Sequence, residues 1–256
     1  MSLPSNASAK LARARQHIND LNGKIAEYLQ KNPFKIVRRF DPSTGKLTLS
    51  IKTEIPVPRD IPLVLGDAIH CLRSALDHVY WSIMEPLVAR KQDIQFPIYT
   101  LQNKQSVLGR RHIKRAPKNV AIEIEKSEPH PNGKHGIYEI NTLDVRDKHQ
   151  LLILAGRTVT LNPAIISLAF PEIGQRFTGP GSIRFTGQGD DIFIATLGPM
   201  HTTARKGAFE DDLNFSIPIE LVFAEPPFQN IEVVKKLINL TNSIEERCGA
   251  IWAANQ

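Results

Sequence analysis

Two cysteines, Cys71 and Cys248, are all that this chain of 256 residues contains. Neither lies in a paired metal-ligand spacing, and a disulfide framework is excluded. No apolar run approaches the roughly 20 residues that span a bilayer, so no membrane partner is expected. The opening stretch, MSLPSNASAKLARARQ, has no apolar core of secretory type. A reduced, cytoplasmic protein is the expectation. Also missing are GxxxxGK[ST], G-x-S-x-G and HExxH. Gly179, Gly181, Gly187 and Gly189 lie between strand-like segments, where turns explain them better than cofactor loops, and no cofactor is expected. Acidic excess is absent as well. The net charge is +6 and the pI about 9.3, a balance that favours a polyanionic partner without diagnosing one.

What is present reads as an α+β chain. Apolar residues recur at helical spacing in residues 5–31, with Leu11, Ile18, Leu21, Ile25 and Leu29 on one face. FKIVRRF and KLTLSIKTE alternate on either side of DPSTG, which predicts a hairpin over 34–54. EIPVPRDIP is a stiff connector, and its Pro62 suits the first turn of a long helix over 61–90. Lys118–Lys126 reads as a shorter helix. Further helices are predicted over 137–155 and 230–252, with strands between them over 158–223. The expectation is one α+β domain spanning 1–256. In it a helical bundle of four main helices packs with an antiparallel β-sheet made by the N-terminal hairpin and the later strands.

The segment IPLVLGDAIHCLRSALDHVYWSIM, residues 61–84, has an unusual polar face. It contains neither Lys nor Glu, the residues that solvate most exposed helices. At 100° per residue, Asp67, His70, Cys71, Ser74, Asp77, His78 and Trp81 fall within about 120° of arc, with Arg73 beside them. Short polar side chains suit a lined cleft better than open water. The helix over 137–155 repeats the theme. Ile140, Leu143, Leu151 and Leu154 define its buried arc, Asp147 falls inside that arc, and Asp144 lies at its edge. A carboxylate on an apolar face needs a partner, for which Arg73, His70 and His78 are candidates. Asp144 and Lys148 have the i,i+4 spacing of a helix ion pair. A structural polar network that fixes helix register looks the same in sequence as a catalytic one.

A second feature is GRRHIKRAPK, residues 109–118. Arg110, Arg111, Lys114 and Arg115 make it a candidate phosphate-contacting arm. A solvated basic loop fits the same residues. His17, His112, His130, His135 and His201 are expected at solvated positions.

Arg73–His78 is an R-x4-H pair on a predicted bundle helix. It resembles the R-x4-6-H motif of the HEPN superfamily, many of whose helical domains are ribonucleases of toxin, abortive-infection and CRISPR systems. The resemblance implies a metal-independent ribonuclease of toxin or phage-defence type, acting on RNA as a homodimer, with an antitoxin partner that the sequence does not identify. His78 would take the 2′-hydroxyl proton, since an ordinary histidine titrates near neutrality. Arg73 would stabilise the phosphate charge, and Asp77, His70 or Asp144 would orient an imidazole. The products would be a 2′,3′-cyclic phosphate and a 5′-hydroxyl. GDAIHCLRSALDH followed by DKH also resembles a bacterial family of unknown function, which implies no mechanism.

Two other readings fit the same residues. Asp67, His70, His78, Asp147 and His149 could ligate a metal, although no Glu-x-x-His of the di-iron type occurs. Alternatively, the protein is a non-catalytic nucleotide- or nucleic-acid-binding module with a structural polar core.

Overall fold

The structure is a computed structural model, and it describes residues 2–41, 43, 46–150, 155–161, 183–187, 191–197, 209–213 and 219–256. Six α-helices occur among them: α1 (Ser5–Gln30), α2 (Asp60–Met84), α3 (Lys104–Arg110), α4 (Lys118–Lys126), α5 (Ile137–Gln150) and α6 (Val233–Ala253). Seven strands are β1 (Phe34–Asp41), β2 (Lys46–Thr53), β3 (Ala155–Leu161), β4 (Ile183–Gly187), β5 (Asp191–Leu197), β6 (Phe209–Leu213) and β7 (Ile219–Phe223). The chain is therefore α+β. No described helix is long and apolar enough to cross a membrane.

The chain divides into two compact units. One contains Met1–Gly23, Arg59–Ile153 and Val233–Gln256, and is helical. The other contains Lys24–Pro58 and Leu154–Glu232, and holds all seven described strands. The helical unit carries the whole net charge of +6, and the sheet unit is neutral.

In the sheet unit, all strand pairs are antiparallel. The hairpin forms as its alternation predicts, with Phe34 opposite Thr53 and Asp41 opposite Lys46. The single expected sheet is two: a four-stranded sheet in the order β5-β2-β1-β6 and a three-stranded one in the order β4-β3-β7. β6 is FEDDL, whose three consecutive acids hide it from an apolar-alternation reading. The Tyr28 hydroxyl donates to the Ile55 carbonyl at 2.8 Å, and its ring meets Phe34 edge-on at 5.9 Å.

Beside the longer helices, the described residues hold the expected shorter α4 and a further short helix, α3, that the sequence reading does not place. α2 packs against both α5 and α6. Its buried face holds Leu65, Ile69, Leu72, Leu76, Val79 and Ile83. From α5 come Ile137, Ile140 and Leu143, and from α6 Leu237, Ile244 and Ile251. Burying aliphatic side chains of this size stabilises by about 1.5–3 kcal/mol each. Leu151 and Leu154, the other expected members of the α5 arc, lie outside the described residues, as do Gly179, Gly181, Gly189 and His201.

Close approach of α2 and α5 is set at Gly66. A Cβ there would come within 2.5 Å of Asp147 Oδ2. Burial raises the Asp147 carboxyl pKa above its ordinary value, and the neighbouring Asp144 and Asp67 carboxylates add to the shift. Raising an acid's folded-state pKa means that stability is fullest below the unfolded carboxyl pKa and falls as pH rises through the folded one. Two outcomes follow. Asp147→Ala should remove the loss of stability that sets in as pH rises above the ordinary aspartate pKa, as read by thermal melts across pH. Gly66→Ala should be near neutral or destabilising alone. In the Asp147→Ala background it should stabilise by about 1 kcal/mol, the helix preference of Ala over Gly. Additive effects in the double variant would show that the two positions do not meet.

Candidate functional site

The polar face of α2 does meet α5, but in two separate groups of contacts. The first centres on His70 and Asp144. The sequence pattern places Asp144 at the edge of the buried arc and Asp147 inside it. The structure reverses their depth: Asp144 is only 4% exposed, whereas Asp147 lies half-buried over Gly66. Asp144 accepts from His70 Nδ1 at 2.8 Å through one oxygen. Through the other it accepts from Lys148 Nζ at 2.6 Å. This second pair is the i,i+4 contact that the sequence spacing implied. A buried carboxylate is tolerable here because both oxygens are engaged by donors.

His70 is held on its buried side and open on the other, with its side chain 47% exposed. An acceptor at Nδ1 selects the neutral tautomer that carries its hydrogen there. The Nε2 lone pair then faces outward, where Ser74 Oγ lies 3.3 Å away. An imidazole fixed this way can accept a proton at Nε2, and the imidazolium so formed is stabilised by the carboxylate behind it.

The second group centres on Arg73, which is 8% exposed. Its Nε donates to Asn141 Oδ1 at 2.9 Å. Its Nη1 lies 2.6 Å from Asp77 Oδ1, an ion pair whose angle falls outside hydrogen-bond geometry, since that nitrogen has no hydrogen-bond partner. Asp77 also accepts the Phe96 backbone N–H at 2.8 Å. Asp77 is thus spent on Arg73 and on the extended segment that carries Phe96. No described residue hydrogen-bonds to the His78 imidazole; only the His78 carbonyl is used, by Ser82 Oγ. Arg73 and His78 lie about 140° apart on a straight helix, and α5 claims only the first.

The basic run is not a plain loop. It takes in the end of α3, a left-handed His112 (φ 59°) and a short 3-10 turn over Ile113–Arg115 before α4. Arg111 turns inward. Its Nη1 donates to the Asp93 carbonyl at 3.3 Å, and its own carbonyl accepts from Tyr80 OH at 2.5 Å. Burial, with Arg110 as the next cause, lowers the Arg111 pKa. Arg110, Lys114 and Arg115 are exposed and can meet an anion from solvent. Four histidines expected at solvated positions, His17 among them, are part-buried instead. His112 Nε2 has no hydrogen-bond partner, His130 lies beside Tyr99, and His135 Nδ1 is 3.2 Å from Ser243 Oγ.

Among the described residues no three His, Cys, Asp or Glu side chains converge to hold a metal ion. Asp67 and His149 are exposed, and His70 spends its inner nitrogen on Asp144. Both cysteines are free and buried. Burial pushes the Cys248 thiol up to about 12 and raises Cys71 as well, so neither offers a ready thiolate.

Two partners escaped the sequence reading. Asn141 is the acceptor for Arg73, and its signal was only adjacency to the polar edge of α5. Ser74 is the neighbour of His70 Nε2, and its signal was the i,i+4 spacing on one helix face. Comparison of the chain with protein-family models, with curated proteins and with solved structures finds no match in any of the three, so its function is argued from these contacts.

Proposed function

We propose that the protein is a metal-independent ribonuclease in which His70, oriented by Asp144, takes the proton from the attacking 2′-hydroxyl. The observation that carries this reading is the half-exposed imidazole whose inner nitrogen is tied to a buried carboxylate. A base of this kind needs no metal to work. In the chemistry, the RNA 2′-oxygen bonds to the adjacent phosphorus and the 5′-oxygen leaves. The released proton is held at Nε2, and the departing 5′-oxygen takes its proton from water. Half-exposed Lys148 stands beside Asp144, and exposed Arg110, Lys114 and Arg115 lie on the same positively charged unit. These cations supply the counterion-displacing contacts that RNA binding requires. The base differs from the one that the R-x4-H motif implies. His78 has no orienting partner among the described residues, and Arg73 serves the α2–α5 packing.

The test is cleavage of unstructured RNA by purified protein and its variants. His70→Ala should lower the rate by about 10²–10⁴-fold, the usual worth of a positioned base. His78→Ala should lower it far less, and added EDTA should leave it unchanged. Activity that survives His70→Ala but is lost in His78→Ala would return the role to the motif histidine. RNA binding without any cleavage would favour a binding module, for which the buried Arg73–Asn141–Asp77 contacts would be the structural polar core. Loss of activity in EDTA would replace this reading with a metal-dependent one.

A further inference from the structure

Among the described residues, four hydroxyls on helices or just past a helix end take the usual partner. Ser82, Ser127, Thr142 and Thr241 all bond back to the carbonyl of residue i−4, at 2.8–3.0 Å. That is the ordinary fate of a hydroxyl inside a helix, and it leaves the oxygen inert. Ser74 differs from these four, and also from Ser243, whose Oγ lies 3.2 Å from His135 Nδ1 and donates to the His135 carbonyl, because the imidazole beside Ser74 is backed by a carboxylate. Ser74 Oγ lies 3.3 Å from His70 Nε2, and the far nitrogen of the same ring is 2.8 Å from Asp144 Oδ1. Hydroxyl, imidazole and buried carboxylate form one chain in the order that activates a serine, and such an arrangement is recognised by geometry rather than by sequence order.

We infer from this chain of contacts that Ser74 is a nucleophile able to accept an acyl group from an activated ester, a second activity that shares the His70–Asp144 pair but needs no RNA. Ser74 Oγ bonds to the ester carbonyl carbon as its proton passes to His70 Nε2. The carbonyl reforms, the carbon–oxygen bond to the alcohol portion breaks, that portion leaves as its anion, and the imidazolium gives its proton to solvent, which frees Nε2. Water then attacks the acyl-serine. Its proton goes to Nε2, the acid departs, and the serine oxygen recovers a hydrogen. The class of ester follows from the helix. Backbone N–H groups around Ser74 are spent on intrahelical bonds within α2, so they cannot form a pair of oxyanion donors. Esters whose leaving group departs readily as an anion, aryl esters above all, are the substrates that such a site can turn over.

The experiment uses the full chain with an alkyl fluorophosphonate probe and with p-nitrophenyl acetate. With the probe, the Ser74 oxygen–phosphorus bond forms, the phosphorus–fluorine bond breaks and fluoride leaves. Mass spectrometry should find one adduct per chain, on Ser74. His70→Ala should slow labelling by about 10²-fold or more, and Ser74→Ala should abolish both labelling and p-nitrophenolate release. An unlabelled wild-type chain overturns the inference without recourse to any variant, and so does labelling that persists in Ser74→Ala. The two activities fail separately. RNA cleavage with an unlabelled Ser74 removes only the ester chemistry, whereas a labelled Ser74 in a chain that never cuts RNA leaves it standing.

Discussion

Arg73→Ala is expected to lower the unfolding free energy by about 3 kcal/mol, the lower end of the cost of breaking a buried ion pair. Arg73 is almost wholly buried and joins Asn141 of α5 to Asp77 of its own helix. Truncation leaves Asn141 Oδ1 without this donor and Asp77 without its countercharge. Asp77 is partly exposed and keeps the Phe96 N–H, which is why the low end of the range applies. Arg73→Lys should not rescue. One ammonium cannot face both partners as a planar guanidinium does. The double variant Arg73→Ala/Asp77→Ala should recover part of the loss, because much of the cost is the stranded carboxylate rather than the worth of the pair. Urea denaturation of the single and double variants measures these terms. A loss below about 1 kcal/mol for Arg73→Ala, the range of surface ion pairs, would show that the guanidinium is solvated.

That expectation bears on what the sequence could disclose. The face of α2 was legible because periodicity is local: Asp67, His70, Ser74, Asp77 and Trp81 share a side through 3.6-residue geometry alone. The Asp144–Lys148 pair was legible for the same reason. Depth was not legible. Arg73 and Ser74 are adjacent in sequence, yet α5 covers Arg73 and leaves Ser74 part-exposed. Which carboxylate would be buried depended on the rotation of α5 against α2, and Gly66 helps to set that by admitting Asp147 where any other side chain would collide. The partners of His70 and Arg73 lie 74 and 68 residues away, so spacing could offer candidates but not choose among them. Arg111 was hidden by its company. Five cations within ten residues read as one solvated surface, but the Asp93 carbonyl and Tyr80 hydroxyl draw one of them inward.

Asp144→Asn should cost about as much RNA cleavage as loss of the base itself, roughly 10²–10⁴-fold, with the fold intact. The reason is the tautomer. Lys148 is only a donor and sits 2.6 Å from one oxygen of Asp144. In a carboxamide the single oxygen is claimed by that ammonium, which turns the NH2 group toward His70 Nδ1. A donor at Nδ1 forces the ring hydrogen onto Nε2, and a protonated Nε2 cannot accept a proton from a substrate hydroxyl. The stability cost should be small, because Lys148 is half-exposed and can return to water. The argument yields a rescue. In Asp144→Asn/Lys148→Met nothing claims the amide oxygen, so the amide can flip and accept from Nδ1–H. Cleavage should then recover by about tenfold or more, the free-energy equivalent of one neutral hydrogen bond of about 1.4 kcal/mol. Imidazole 15N chemical shifts read the tautomer directly in all three proteins. Should the Asp144→Asn protein cut RNA at the wild-type rate with its hydrogen on Nε2, proton abstraction by His70 would have to be abandoned.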